Sequence, residues 1–281
     1  MTKAKAQKKT KGKPPKRGWP WFAWLLIALA IAGVVVFVRV YTMGQHPTDN
    51  TGTLKAAIVD QLSGFQENEA FITNVTSELE NYGFEVDLYQ GDNITVDFYR
   101  GLSGRGYKLI VFRAHSGILG EDEEVHYKTT LFTNENYSTT SHVTEQLDDR
   151  LVMASVGEGS PMVFGIPPEF ISESMTKKFD NTVIIMMGCS GIYLTDLAEA
   201  FIGKGASAYL AWDASVELDY VDEATPYLIG QLCSENATIK EAVDSTMNVI
   251  GPDPKHGADL NYYPSAYPSD IGDKTMEELM K

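Results

Sequence analysis

Two residues able to do covalent chemistry stand out by where they fall. His115, in Arg113-Ala114-His115-Ser116-Gly117, follows the apolar run 108–112 (KLIVF). Cys189, in Gly188-Cys189-Ser190-Gly191, follows the apolar run 183–187 (VIIMM). Each run is short and almost wholly apolar, the pattern of a strand buried on both faces. Neighbouring strands lie about 4.8 Å apart, so if these two pair, an imidazole and a thiol face each other across one crevice. A thiol activated by an imidazole attacks carbonyl carbon, and the imidazole then protonates the leaving amine. Gly117 lets the backbone approach a substrate carbonyl closely, and its N–H with that of Cys189 is expected to form an oxyanion hole.

These residues need a scaffold, and the pattern supplies one. Runs 54–59 (LKAAIV), 84–89 (FEVDLY), 108–112, 183–187 and 206–212 (ASAYLAW) read as strands. Between them lie helical stretches. Phe71, Val75, Leu79 and Tyr82 recur at helical spacing before Gly83, and Leu194, Leu197, Ala198, Phe201 and Ile202 do so before Gly205. A short helix is expected at 95–102, and another near 224–232. A third opens on Thr238-Ile239-Lys240-Glu241, a capping box, and stops at Gly251-Pro252. Alternation of this kind predicts an α/β domain over 53–251, a mostly parallel central sheet covered by helices on both faces in a three-layer α/β/α sandwich. An insertion of about 121–180 interrupts it, with a hairpin expected at 125–133, a short strand at 162–165 and a helical turn or two at 167–175. Residues 252–281, rich in Pro, Tyr and Asp without periodicity, read as a loosely ordered tail. In open parallel sheets ligands bind beyond the carboxyl ends of the strands, which is where His115 and Cys189 fall.

The order strand–His–Ser–Gly, then strand–Gly–Cys–Ser–Gly, resembles the caspase-like (clan CD) cysteine peptidases. The stretch 189–213 (CSGIYLTDLAEAFIGKGASAYLAWD) is similar to the gingipain and CHAT type, in which the nucleophile loop leads into a helix and another strand. The resemblance covers about 54–251 and is specific at 108–117 and 183–216. It implies peptide-bond hydrolysis, with His115 as general acid/base, Cys189 as nucleophile, and an oxyanion hole from the backbone of Gly117 and Cys189. It also implies that the end of the last strand lines the pocket for the residue before the scissile bond, so that Trp212, Asp213 and Glu217 are expected there. Asp213, reinforced by Glu217 and Asp219, would favour Arg or Lys through charge-assisted hydrogen bonds. The caspase Q-A-C-x-G signature is absent, and the His-to-Cys separation of 74 residues exceeds the ~50 of caspases. This chain therefore stands nearer the looser relatives.

Other chemistry finds less in the sequence. The run Glu121-Asp122-Glu123-Glu124 offers hard oxygen ligands for calcium, but such runs are ordinarily solvated loops, and no cofactor is expected. His126 and His142 have no i, i+4 partner and no C-x-x-C pair exists, so no metal site is expected. Ser116 and Ser190 flank the dyad without a G-x-S-x-G elbow. A Cys189–Cys233 disulfide would be compatible with an oxidising exterior and would abolish the nucleophile.

The N-terminus addresses location. Residues 1–39 carry nine basic residues and no acidic one, which leaves 40–281 with a net charge of −24. A body this acidic argues against nucleic-acid binding. After the basic segment 1–18, residues 19–40 supply a twenty-residue stretch without charge at 19–38, long enough for the ~30 Å hydrocarbon core. Trp19, Trp21 and Trp24 sit where an interfacial aromatic belt belongs. The positive-inside rule then predicts an uncleaved signal-anchor helix in the plasma membrane, a cytoplasmic N-terminus, a tether at 41–52 and an extracellular domain. Four N-x-S/T sequons, at Asn74, Asn93, Asn136 and Asn236, are candidate glycosylation sites on that outer face. Two functions of different class follow. One is a membrane-anchored, outward-facing cysteine endopeptidase acting on proteins or peptides; the other is a catalytically inactive surface domain that uses the same scaffold to bind a partner.

Overall fold

A computed structural model describes residues 54–119, 127–157 and 159–281. The expected anchor and tether, the acidic run 121–124 and His126 lie outside the described residues. Among those described, no helix is long and apolar enough to cross a membrane.

The continuous apolar runs form the strands β1 (Lys55–Asp60), β3 (Leu109–Arg113), β8 (Thr182–Met186) and β9 (Ala206–Trp212), and the alternating 84–89 stretch forms β2 (Glu85–Gln90). These five pair in parallel in the order β9-β8-β3-β1-β2. The central strands are buried throughout, which is why their sequences lack alternation. The chain is a mixed α/β fold with a mostly parallel central sheet.

Helices cover both faces. Phe71, Val75 and Leu79 of α1 (Glu69–Tyr82) pack on the face presented by Ile58, Val111 and Ile185, together with α5 (Leu218–Cys233) and α6 (Ile239–Val249). Asn68 caps the start of α1 by accepting from the Phe71 N–H, and Gly83 ends it at φ +112°, where a side chain would be strained. Thr238 and Glu241 form the expected capping box of α6. The opposite face, with Val59, Phe112 and Met186, takes α2 (Val96–Leu102) and α4 (Asp196–Gly203).

The insertion is a second, antiparallel sheet of order β4-β5-β7-β6, from β4 (Ser116–Leu119), β5 (Lys128–Asn136), β6 (Val152–Ala154) and β7 (Val163–Ile166). The hairpin expected within 125–133 is instead one long strand whose partners are β4, immediately after His115, and β7. A short helix, α3 (Val143–Leu147), and one turn of π-helix, Phe170–Ser174, complete it.

The tail is a correction. Thr53–Lys281 is one compact unit, and residues 252–281 carry β10 (Leu260–Tyr263), antiparallel to β9, and α7 (Met276–Leu279). Met276 and Leu260 are buried, so this segment contributes to the core. A four-residue edge strand and a single helical turn are too short to produce a readable period.

One buried cluster ties the sheet to its helices. Arg113, at the end of β3 and with no exposed surface, is held by Asp60 of β1 at 2.8 Å and by Asp222 of α5 at 2.7 and 2.8 Å. Its guanidinium also donates to the Gln66 carbonyl and lies over the Phe71 ring. Removing one partner from such a group leaves buried charge unpaired. Arg113→Met is expected to lower unfolding free energy by about 3–5 kcal/mol in urea titrations. A loss below about 1 kcal/mol would show that the two aspartates do not depend on it.

Candidate active site

Strands β3 and β8 pair in register, with Phe112 opposite Met186. His115 lies three residues beyond Phe112 and Cys189 three residues beyond Met186, so the two chains overhang the sheet equally. The Met187 N–H continues the ladder one step by donating to the Phe112 carbonyl at 2.9 Å. Both His115 and Cys189 then line one cavity of about 280 Å³.

The imidazole is held by what surrounds it. The His115 backbone N–H donates to Gln61 Oε1 at 2.9 Å, and Gln61 is fixed in turn by its contact with Asn134 at 2.6 Å. The Phe65 ring meets the His115 ring edge-on at 5.4 Å, and Phe132 lies 6.0 Å away. Burial lowers the His115 pKa below its ordinary value, which favours the neutral, proton-accepting ring.

The sulfur-bearing residue lines the same cavity on a constrained turn. Cys189 Sγ accepts from the Val216 N–H at 3.5 Å and lies 3.7 Å from the Val216 carbonyl. Ser190 takes φ +52°, uncommon for a residue with a side chain. Its N–H donates to the Ala214 carbonyl at 2.8 Å, while the Cys189 carbonyl accepts from the Ser116 hydroxyl at 2.6 Å. Cys233 is free and buried in α5, its thiol pushed up to about 12 by desolvation. Both cysteines are unbridged, which removes the disulfide alternative.

The backbone amides beside the cavity differ from the expectation at Gly117. The Phe132 N–H donates to the His115 carbonyl at 3.0 Å, whereas the Thr129 N–H leaves the ladder for Asp196 Oδ2 at 2.8 Å. Antiparallel pairs alternate, so Gly117, opposite Thr130, stands at a hydrogen-bonded position and its amide is engaged within the small sheet. The amide of Ser116, on the other edge of β4, is the one turned away from β5.

The expected substrate pocket divides. Trp212 is 2% exposed in the core against Tyr220, and Asp213 accepts from the Asp259 N–H at 2.9 Å and from Asn261 at 3.2 Å; neither lines the cavity. Glu217 and Asp219 do line it. Hydrogen bonds from Lys255 at 2.6 Å and His256 at 3.0 Å hold the exposed Glu217 carboxyl below its usual range. Asp219 accepts from Gln66 Nε2 at 2.6 Å, a bond that joins two walls of the cavity.

Leu62, Phe65 and Gln66 were not legible as site residues. They follow β1, the next strand along the same rim, so the carboxyl-end rule applied to that strand would have found them. The four sequon asparagines, Asn74, Asn93, Asn136 and Asn236, are all exposed. Among the described residues no group of three or more His, Cys, Asp or Glu side chains is placed to hold a metal. His142 is bonded to Glu135 at 2.8 Å.

No protein-family model matches this chain, and no curated protein matches its sequence.

Gly188 is what permits the close approach of the segments that carry His115 and Cys189. A Cβ there would stand 2.3 Å from Ser116 Oγ and 2.6 Å from the Ala114 carbonyl oxygen. Gly188→Ala is therefore expected to cost about 1–3 kcal/mol, a fall of roughly 3–10 °C in the thermal midpoint. An unchanged midpoint would mean that the segments are not in contact.

Proposed function

We propose that this chain is a caspase-like cysteine endopeptidase, built as a three-layer α/β/α sandwich, anchored in the plasma membrane through residues 19–40 and facing outward. The single observation that carries the reading is that His115 and Cys189, 74 residues apart, line one cavity at the carboxyl ends of adjacent parallel strands. The apolar segment behind its basic flank supports the anchor, and the exposed sequons are compatible with an extracellular domain.

Neutral His115 takes the thiol proton as Cys189 sulfur bonds to the substrate carbonyl carbon. The imidazolium returns that proton to the departing amine as the C–N bond breaks, leaving a thioester. Water then attacks the thioester, with His115 accepting its proton and returning it to the sulfur. The developing oxyanion is received by the amides of Cys189 and Ser116, which takes the place first expected of Gly117. Glu217 and Asp219 give the cavity wall its acidity, and a basic residue before the scissile bond is the preferred substrate.

The non-catalytic binding module draws on one observation. The sulfur's hydrogen-bond partners are both backbone atoms of Val216. A fluorogenic peptide panel separates the two readings. Cleavage is expected after Arg or Lys, abolished in Cys189→Ala and reduced at least 100-fold in His115→Ala. No cleavage of any peptide by the wild type would favour the binding module, and equal cleavage by His115→Ala would remove His115 from the mechanism.

The pH profile follows from the buried ring. Because burial lowers the His115 pKa, the neutral base persists to lower pH than an exposed histidine would allow. The acid limb of kcat/KM is expected below about 6.5. A limb above 7 would contradict a ring held neutral by desolvation.

A further inference from the structure

The geometry points to the Ser116 hydroxyl as a positioning group for the nucleophile, coupling the Cys189 thiol to the His115 imidazole. The inference rests on the dyad reading and extends it to a residue that neither attacks nor transfers a proton.

Ser116 is the residue after His115, is 7% exposed, and donates its hydroxyl to the Cys189 carbonyl at 2.6 Å. That carbonyl belongs to the peptide between Cys189 and Ser190. The N–H of the same peptide donates to the Ala214 carbonyl at 2.8 Å. One peptide unit is thus gripped at both ends, from the β3–β4 side and from the segment after β9. The grip matters because Ser190 sits at φ +52°, a conformation costing on the order of 1 kcal/mol that persists only where surroundings impose it. Without the hydroxyl, the turn is free to relax towards an ordinary backbone conformation, and the sulfur moves with it.

The hydroxyl also links the two functional segments directly. It is one residue from the imidazole and bonded to the nucleophile's own carbonyl, so a displacement of one segment is carried to the other. Gly188 leaves the room for this contact, since its Cβ would collide with Ser116 Oγ. Serine here gives both a small side chain and a donor, and alanine keeps only the first.

A double-mutant cycle tests this. Cys189 alkylation by iodoacetamide is measured by mass spectrometry near neutral pH in the full chain. The proteins compared are wild type, His115→Ala, Ser116→Ala and the double variant, each with its thermal midpoint. Wild type is expected to react roughly tenfold or more faster than His115→Ala. In the Ser116→Ala background that ratio is expected to collapse to about one, because the thiol is no longer held where the imidazole can act on it. Ser116→Thr, which keeps the hydroxyl, retains the ratio. A lowered midpoint with the ratio preserved in Ser116→Ala would make the hydroxyl merely structural and overturn the inference. A folded Ser116→Thr that loses the ratio would also overturn it. A ratio of one in the wild type would overturn the dyad and this inference together. An intact cycle in a protein that cleaves no peptide would uphold the inference and reject the peptidase.

Discussion

The parallel pairing of β3 with β8 is the constraint on which the rest depends. A parallel ladder makes both strands end at the same rim, and the register of Phe112 with Met186 sets how far each chain continues past it. His115 and Cys189 are brought to one cavity by that register alone, with no local sequence relation between them. A slip of one residue would turn each strand's alternate side chains to the wrong face and misalign the two overhangs. The slip is resisted because both faces are filled, Val111 and Ile185 packing on one side and Phe112 and Met186 on the other.

Around that rim the backbone is held by polar contacts that the apolar core cannot supply. Arg113 joins the ends of β1 and β3 to α5, so three walls of the cavity share one buried guanidinium. Buried ion pairs contribute little net stability, but they penalise alternative arrangements, because any shift strands a charge. Gln66 to Asp219 and Ser116 to Cys189 do the same work at shorter range. Ser190 and Gly188 belong to this arrangement: the left-handed turn at Ser190 persists only where its surroundings impose it, and the space at Gly188 has no room for a side chain.

Much of this was legible in the sequence because the information was local. Continuous apolar runs marked the central strands, the Phe71–Val75–Leu79 stripe marked α1, and Thr238 with Glu241 marked α6. His115 and Cys189 were recognisable as candidates because each follows a strand. What escaped was non-local or too short. The choice between the Gly117 and Ser116 amides turns on the parity of a ladder formed with β5, residues distant in the chain. Trp212 was expected in the pocket, but it completes a strand whose alternation turns it into the core. In residues 252–281 the signal was present and weak. Thr275 and Glu278 repeat the capping box already recognised at Thr238, but they open a helix of one turn.

A crystal structure of the chain reacted with a peptidyl acyloxymethyl ketone would test the central claim most directly. The account predicts a thioether on Cys189 sulfur, with the ketone oxygen about 2.7–3.1 Å from the amide nitrogens of Cys189 and Ser116 and the imidazole of His115 beside the sulfur. An adduct on another residue, or a ketone oxygen pointing to solvent with His115 turned away, would contradict it.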